Sequence, residues 1–240
     1  MSFFDKFPAM ERTDLRDLKK GIDSSFKEFS RSWGEGIEAF FDPLFYFLVN
    51  FEKLLLATPW PIIIAIVAAL SYLGSRSWKL SAGAAVSFLV IGYLGMWNNT
   101  MSTVALISVA TFICIALGIP IGIAMSKSDR LQAIITPILD IMQTIPIFVY
   151  LLPVVMLLGI GKVPGLIAVC VYAMPPIVRL TNLGLRLVDK EILEAADAFG
   201  SNYRQRLFRV QLPLALPNIF AGVNQTIMMA LAMVVIASMI

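Results

Sequence analysis

Residues Glu194–Pro213 read EAADAFGSNYRQRLFRVQLP, a polar, charged island between two segments apolar enough to cross a membrane. Its local chemistry predicts two short helices joined at a glycine. Leu193 through Phe199 forms the first, with Asp189 placed to cap its start and Glu191 and Glu194 near its positive end. Ala195 and Ala196 favour helix and keep one face low, so that a partner surface can approach closely. Gly200 stands where the helix must stop and reverse, a position suited to positive φ. Ser201 or Asn202 then caps a second helix carrying Arg204, Arg206 and Arg209, with Tyr203, Leu207 and Phe208 as its apolar side. Pro213 and Pro217 follow, where the turn into the next membrane helix tolerates their missing donors. Such a helix–glycine–helix knob is stiff. The plainer alternative is an ordinary loop with caps and charges.

The rest of the chain sets the environment of that island. Of its 240 residues 58% are hydrophobic and 15% charged, against roughly 25% charged in average globular proteins. The chain is therefore read as an all-α integral membrane protein. About half of the charged side chains fall in residues 1–58, and the remainder lie mostly in short connections. Histidine is absent, and Cys114 and Cys170 each sit inside an apolar run without paired spacing. They read as small core residues, and no metal site or disulfide is expected. The first thirty residues lack a continuous apolar stretch, so no cleavable signal peptide is expected. A net charge of +3, dispersed, gives no argument for nucleic acid.

About 20 apolar residues cross a bilayer core, so the uncharged run 80–126 holds two spans, divided at the polar turn Trp97-Asn98-Asn99-Thr100. Spans are expected near 59–76, 81–97, 101–125, 138–160, 163–187 and 214–240. They are helices, because unpaired backbone groups are not tolerated in lipid and nothing alternates like a barrel strand. Placing 188–211 in the cytoplasm fixes the other connections by alternation. Arg76, Lys79, Lys127, Arg130, Arg186, Lys190, Arg204, Arg206 and Arg209 then fall inside and only Lys162 outside, the asymmetry expected of basic residues.

Two regions fit this scheme less simply. Residues 36–57 mix Phe40, Phe41, Leu44, Phe45, Phe47, Leu48 and Phe51 with Glu38, Asp42, Glu52 and Lys53. Each charge at mid-bilayer costs roughly 2.5–3.5 kcal/mol on insertion scales, so a helix lying in the interface is favoured over a short span. The tail before it reads as a solvated or surface-lying helix. The chain also stops at Ile240 inside an apolar run, which suggests a segment lacking a final helix. The organisation expected is an amphipathic tail over 1–58, accessory transmembrane helices over 59–98, and a core over 99–240 containing the cytoplasmic loop 188–213.

The island also carries a resemblance. Glu194-Ala195-Ala196, then Gly200, then Val210 after nine intervening residues, then Leu212-Pro213, resemble the ATPase-docking loop of ABC-transporter permease subunits. Only Val210 departs from the family's usual isoleucine. From about Met101 the chain is similar to the permease core of binding-protein-dependent importers, and in particular to the glycine betaine/proline betaine uptake branch. The stretches that carry this are Asp140–Gly165, Ala173–Leu185 and Gln211–Ile240; choline-directed members look much the same. The resemblance implies a multi-pass protein of the bacterial inner membrane that imports a quaternary amine used in osmoprotection. It implies two permease copies forming the pathway, two cytoplasmic ATPase subunits docked below, and an extracytoplasmic binding protein that delivers substrate. ATP and Mg would be held by the partner ATPase, and this chain, which has no phosphate-binding loop of the G-x-x-x-x-G-K-[ST] type, would bind no cofactor and catalyse nothing itself.

Candidate pathway residues are polar or flexible groups within the spans. Gln143 and Thr144 precede Pro146, which is expected to break its helix; Pro175-Pro176 is expected to do the same after Tyr172 and Met174. Asn224, Gln225 and Thr226 form the only polar cluster of the final run, followed by Met228 and Met229. Tyr150 and Tyr172 offer aromatic faces to a quaternary ammonium. Against each stands helix packing, since amides in membrane helices bond to neighbours and methionine fills gaps. Gly118, Pro120 and Gly122 read as a packing face rather than a hinge. Asp140 and Arg179 are each read as reaching the inner interface alone, with a mutual pair as the alternative. Rival functions are a permease for another small polar solute such as an amino acid, an ion-gradient-driven secondary transporter, an intramembrane enzyme and a membrane scaffold. The second would need intramembrane carboxylates or paired broken repeats, and only Asp140 is at hand; the third lacks histidine and any nucleophile–base pair.

Overall fold

The computed structural model describes residues 12–237, all of whose regular elements are helical. A long helix α1 (Arg12–Ala57) is followed by α2 (Trp60–Ser75), α3 (Trp78–Tyr93), α4 (Trp97–Lys127), α5 (Asp129–Thr144), α6 (Ile147–Leu158) and α7 (Lys162–Arg186). After these come α8 (Lys190–Ala198), α9 (Tyr203–Arg206), one π-helical turn (Leu207–Gln211) and α10 (Leu212–Ala237). Helices α4 and α7, and the run Tyr203–Ala237, are long and apolar enough to cross a membrane singly. The pairs Asp42–Ala57 with α2, and α5 with α6, pass the same test jointly but bend by 105° and 89°.

Helix α7 is the axis of the molecule, packed chiefly between α4 and α10. It can lie this close because its neighbours, and α7 itself, lack side chains at the crossings. A Cβ on Gly118 of α4 would stand 2.5 Å from Ile177 Cγ2, and one on Gly122 would stand 2.7 Å from the Val178 carbonyl oxygen. A Cβ on Gly184 would meet Asn218 Cβ of α10 at 2.8 Å, and one on Gly222 would meet Ile177 at 3.1 Å. The Gly118/Gly122 strip is thus a packing face, as close helix approach in lipid requires. Around it lie the buried Ala110, Cys114, Val169, Ala173, Ile177, Val178, Ala215 and Ala230. Both cysteines are free and buried.

The helix α2–α3 hairpin turns at Arg76, whose φ of 53° is left-handed and whose N–H donates to the Tyr72 carbonyl. Ser81 Oγ donates to the Ala68 carbonyl at 2.7 Å, pinning the two helices together. The hairpin meets the remainder mainly through α3 and α4.

Several boundaries differ from the sequence expectations. The single span expected at 138–160 is two helices, because Pro146 cannot continue α5 and holds Ile145 extended (φ −69°, ψ 131°). The break expected at Pro175-Pro176 does not occur: both prolines are buried within a continuous α7. Two successive prolines remove donors on one stretch only, and packing on α4 and α10 holds the helix through it. Trp97–Thr100 is the first turn of α4 rather than a connection; the reversal comes earlier, at Gly95 with φ 74°. Finally, no turn separates the second short helix from the last span. Helix α9 runs through the π turn, where the Leu212 N–H reaches back five residues to the Leu207 carbonyl, directly into α10. A π turn just before Pro213 absorbs the register that the missing proline donor would disturb.

The far end of α1 is docked on this core. Leu48 and Glu52 are buried, and Glu52 Oε1 accepts from Lys162 Nζ at 2.6 Å and from Ser102 Oγ at 2.6 Å. Three helices, α1, α4 and α7, therefore meet at one carboxylate.

The glycine crossings yield a direct expectation. Gly122→Leu should lower the melting midpoint of the detergent-solubilised protein by roughly 2–12 °C, the range for overpacking by about 1–3 kcal/mol in a chain of this size. Gly83→Leu on α3, where a Cβ would meet nothing within 4 Å, should leave the midpoint unchanged. A thermal scan monitored by size-exclusion chromatography measures both.

Candidate functional site

The knob at Glu194–Pro213 is built by its caps. Asp189 Oδ1 accepts from the Glu191 N–H at 2.9 Å and starts α8. The other end closes with two reverse bonds: Ser201 N–H to the Ala196 carbonyl at 3.1 Å and Gly200 N–H to the Asp197 carbonyl at 2.9 Å. Gly200 has φ 77°. This is a Schellman closure, whose left-handed residue is best supplied by glycine. Asn202, rather than Ser201, caps α9 through a reciprocal box: Asn202 Oδ1 accepts from the Gln205 N–H, and Gln205 Oε1 from the Asn202 N–H, each at 2.9 Å.

The knob is also braced within itself and touches a body whose nearby helix ends are tied together. Arg206 Nη1 donates to Asp197 Oδ2 at 2.6 Å, locking α9 across α8. Lys127 at the end of α4 lies 4.5 Å from the Tyr203 ring centroid, a cation–π contact. Arg186, the last residue of α7, donates to Asp129 Oδ1 (2.7 Å), to the Met125 carbonyl (2.9 Å) and to Asn182 Oδ1 (3.0 Å). One guanidinium thus joins the inner ends of α4, α5 and α7 immediately before the knob. Sequence reading gave Arg186 only a topological role, although Asn182 four residues earlier was a usable signal.

The expected docking residues divide by exposure. Glu194, Ala195, Gly200 and Pro213 are exposed, whereas Ala196, Val210 and Leu212 are half-buried. Tyr203 and Phe208 are exposed as expected of a contact side, but Leu207 is buried and belongs to the core. The apolar tip that sequence reading missed is Phe199, 92% exposed beside Gly200.

The pathway candidates are not gathered into one ring. Gln143 Nε2 donates to Met229 Sδ at 3.4 Å, tying α5 to α10. Thr144 is exposed and bonds back to the Asp140 carbonyl. Tyr150 and Tyr172 are half-buried and lie within electrostatic reach of each other across α6 and α7. Asn224, Gln225 and Met228 are exposed on one side of α10, while Thr226 is buried, its hydroxyl without a partner in the structure. Asp140 and Arg179 do not reach separately for the inner interface; they bond to each other. Among the described residues no cluster of His, Cys, Asp or Glu has the form of a metal site.

Residues 115–240 match the family model described as the binding-protein-dependent transport system inner membrane component. The chain belongs to this family. It is a multi-pass inner-membrane permease component. The permease is 49% identical over 203 residues to the glycine betaine/proline betaine transport system permease protein of Escherichia coli (strain K12), covering 82% of this chain and 56% of that protein. It is 42% identical over 241 residues to the glycine betaine transport system permease protein of Bacillus subtilis (strain 168), covering 98% and 81%. Similarity to the glycine betaine/carnitine transport permease protein of Listeria monocytogenes is 46% over 187 residues, covering 77% and 66%. The chain spans about half the length of some curated relatives, 56% and 44% for two enterobacterial ones.

If the Schellman closure sets the knob's shape, Gly200→Val should raise amide hydrogen exchange across 190–206 at least ten-fold, a β-branched residue being strained at positive φ. Gly200→Asn should raise it less. Exchange in α4 and α7 should not change.

Proposed function

We propose that this permease is the transmembrane subunit of an ATP-driven importer, and that the knob Glu194–Pro213 receives force from a separate ATPase subunit. The observation that carries the reading is the capped, Schellman-closed α8, which projects Glu194, Ala195, Phe199 and Gly200 while α9 is braced across it by Arg206 and held to the body by Lys127 against Tyr203 and by the buried Leu207. A loop that served only as a connection would gain nothing from this bracing. The knob is joined covalently to α7 on one side and α10 on the other, so a displacement of the knob is a displacement of both.

In this reading two copies of the chain enclose the pathway, two ATPase subunits hold ATP and Mg below, and an extracytoplasmic receptor supplies solute. Closure of the ATPases draws the knobs together, and the two α7–α10 pairs turn to open the pathway to the other side. The solute is a quaternary amine such as glycine betaine, proline betaine or choline. Relatives named for transport of glycine betaine, proline betaine, carnitine and choline support it. Gln143, Thr144, Tyr150, Tyr172, Asn224, Gln225 and Met228 are the lining candidates, and exposure on α10 favours Asn224, Gln225 and Met228 among them.

Reconstitution tests the reading. Vesicles holding the permease should take up glycine betaine only when the ATPase subunit, ATP and the receptor are all present. Uptake driven by a sodium or proton gradient alone would contradict it. Gly200→Val should abolish ATP-coupled uptake with membrane insertion intact, and Glu194→Cys should cross-link to the ATPase. Asn224→Leu and Gln225→Leu together should reduce uptake by ten-fold or more while assembly, read by co-purification of the ATPase, is preserved.

A further inference from the structure

Asp140 and Arg179 are charged groups within α5 and α7. At 1.5 Å per residue, Asp140 lies about 16 Å along α5 from Asp129, and Arg179 about 10 Å along α7 from Arg186. They bond to each other, yet their side chains remain 54% and 41% exposed. The pair therefore faces outward from this chain, away from the ends of α5 and α7 that Arg186 ties together. Hydrocarbon is the one environment in which a partly uncovered ion pair is strongly disfavoured, and intramembrane charges accordingly face protein or a wet cavity.

The outer surface of α5 shows that two different environments meet there. Ile134, Ile138 and Ile141 are exposed and form one stripe at helical spacing. Ala133, Pro137, Asp140 and Thr144 are also exposed and form a second stripe, about 100° around the helix. The first suits lipid; the second does not. On α7, much of which is buried, Tyr172, Arg179, Leu183 and Arg186 share one face that is exposed or half-buried. The pair thus sits in a seam between α5 and α7, with Tyr172 and its neighbour Tyr150 toward one end and the Arg186 junction toward the other.

We infer that this seam is a wall of the translocation pathway and that Asp140–Arg179 is a charged rung in it, displaced by a solute carrying one positive and one negative group. The inference rests on the transport reading and adds its specificity. Opening an ion pair in a poorly hydrated channel leaves two uncompensated charges. A zwitterion removes that penalty by exchange: its carboxylate takes the guanidinium of Arg179 and its ammonium end the carboxylate of Asp140. A solute with a single charge leaves one member of the pair unpaired and passes less readily.

Cysteine labelling tests the wall independently of transport. Cys114 and Cys170 are buried, so the natural background is silent. In the permease–ATPase complex in nanodiscs, Thr144→Cys should react with a charged, lipid-insoluble thiol reagent at least ten-fold faster than Ile138→Cys. Equal, slow reaction at both positions overturns the proposal, as does a ready Thr144→Cys disulfide between two copies, which would make the seam a subunit contact. Transport tests the rung. Arg179→Gln should reduce glycine betaine uptake at least ten-fold more than choline uptake; the same receptor serves both proteins, so its own preference cancels in the ratio. Combining Asp140→Arg with Arg179→Asp should restore part of the lost uptake. An unchanged ratio overturns the zwitterion assignment. If the natural protein shows no ATP-coupled uptake at all, the transport reading fails instead, and the labelling still decides whether the seam is wet.

Discussion

The contact of α7 with α4 and α10 is the constraint on which the remaining architecture depends. At Gly118, Gly122 and Gly184 the helices approach so closely that a single methyl group would collide with a neighbour, and at Gly222 it would crowd Ile177. In a bilayer this is the available route to tight packing, because burying apolar side chains against each other gains little over burying them against lipid tails. Once α7 is gripped on both sides, it stays helical through Pro175 and Pro176. It also becomes the element through which a push on the adjoining knob reaches the interior.

The ends of that trio are then secured by charge. At one end Arg186 collects a carboxylate, a carbonyl and an amide from α5, α4 and its own helix. At the other, Glu52 collects Lys162 and Ser102. A carboxylate as enclosed as Glu52, 7% exposed, is stable there because both oxygens are served by charged or hydroxyl donors. The charges that made residues 36–57 awkward as a span thus include one that ties the N-terminal helix to the core.

Legibility in the sequence followed the range of the interactions. Asp189, Gly200 and Asn202 act within three or four residues of themselves, and their capping roles are readable from residue type and spacing. The break at Pro146 is equally local. The straight path through Pro175-Pro176 is not, because what keeps it is packing by α4 and α10, elements distant in sequence. The same holds for Glu52 with Lys162 and for Asp140 with Arg179, pairs joined only by the tertiary fold. Leu207, expected on the contact side of the knob, is buried instead, since the π turn rotates the register between α9 and α10 by one residue. By sequence Phe199 is the last helical residue and not a tip, because only the left-handed turn after it shows which way it points.

The central claim is that the knob and the inner ends of α4, α5 and α7 form one rigid unit. Spin labels at Glu194→Cys and Arg130→Cys in one copy of the chain, paired with an unlabelled second copy and measured by double electron–electron resonance, test it most directly. The account predicts one narrow distance distribution that keeps its width and its mean when ATPase and nucleotide are added. A broad distribution, or a mean that shifts with nucleotide, would show that the knob moves independently of the helices it is said to drive.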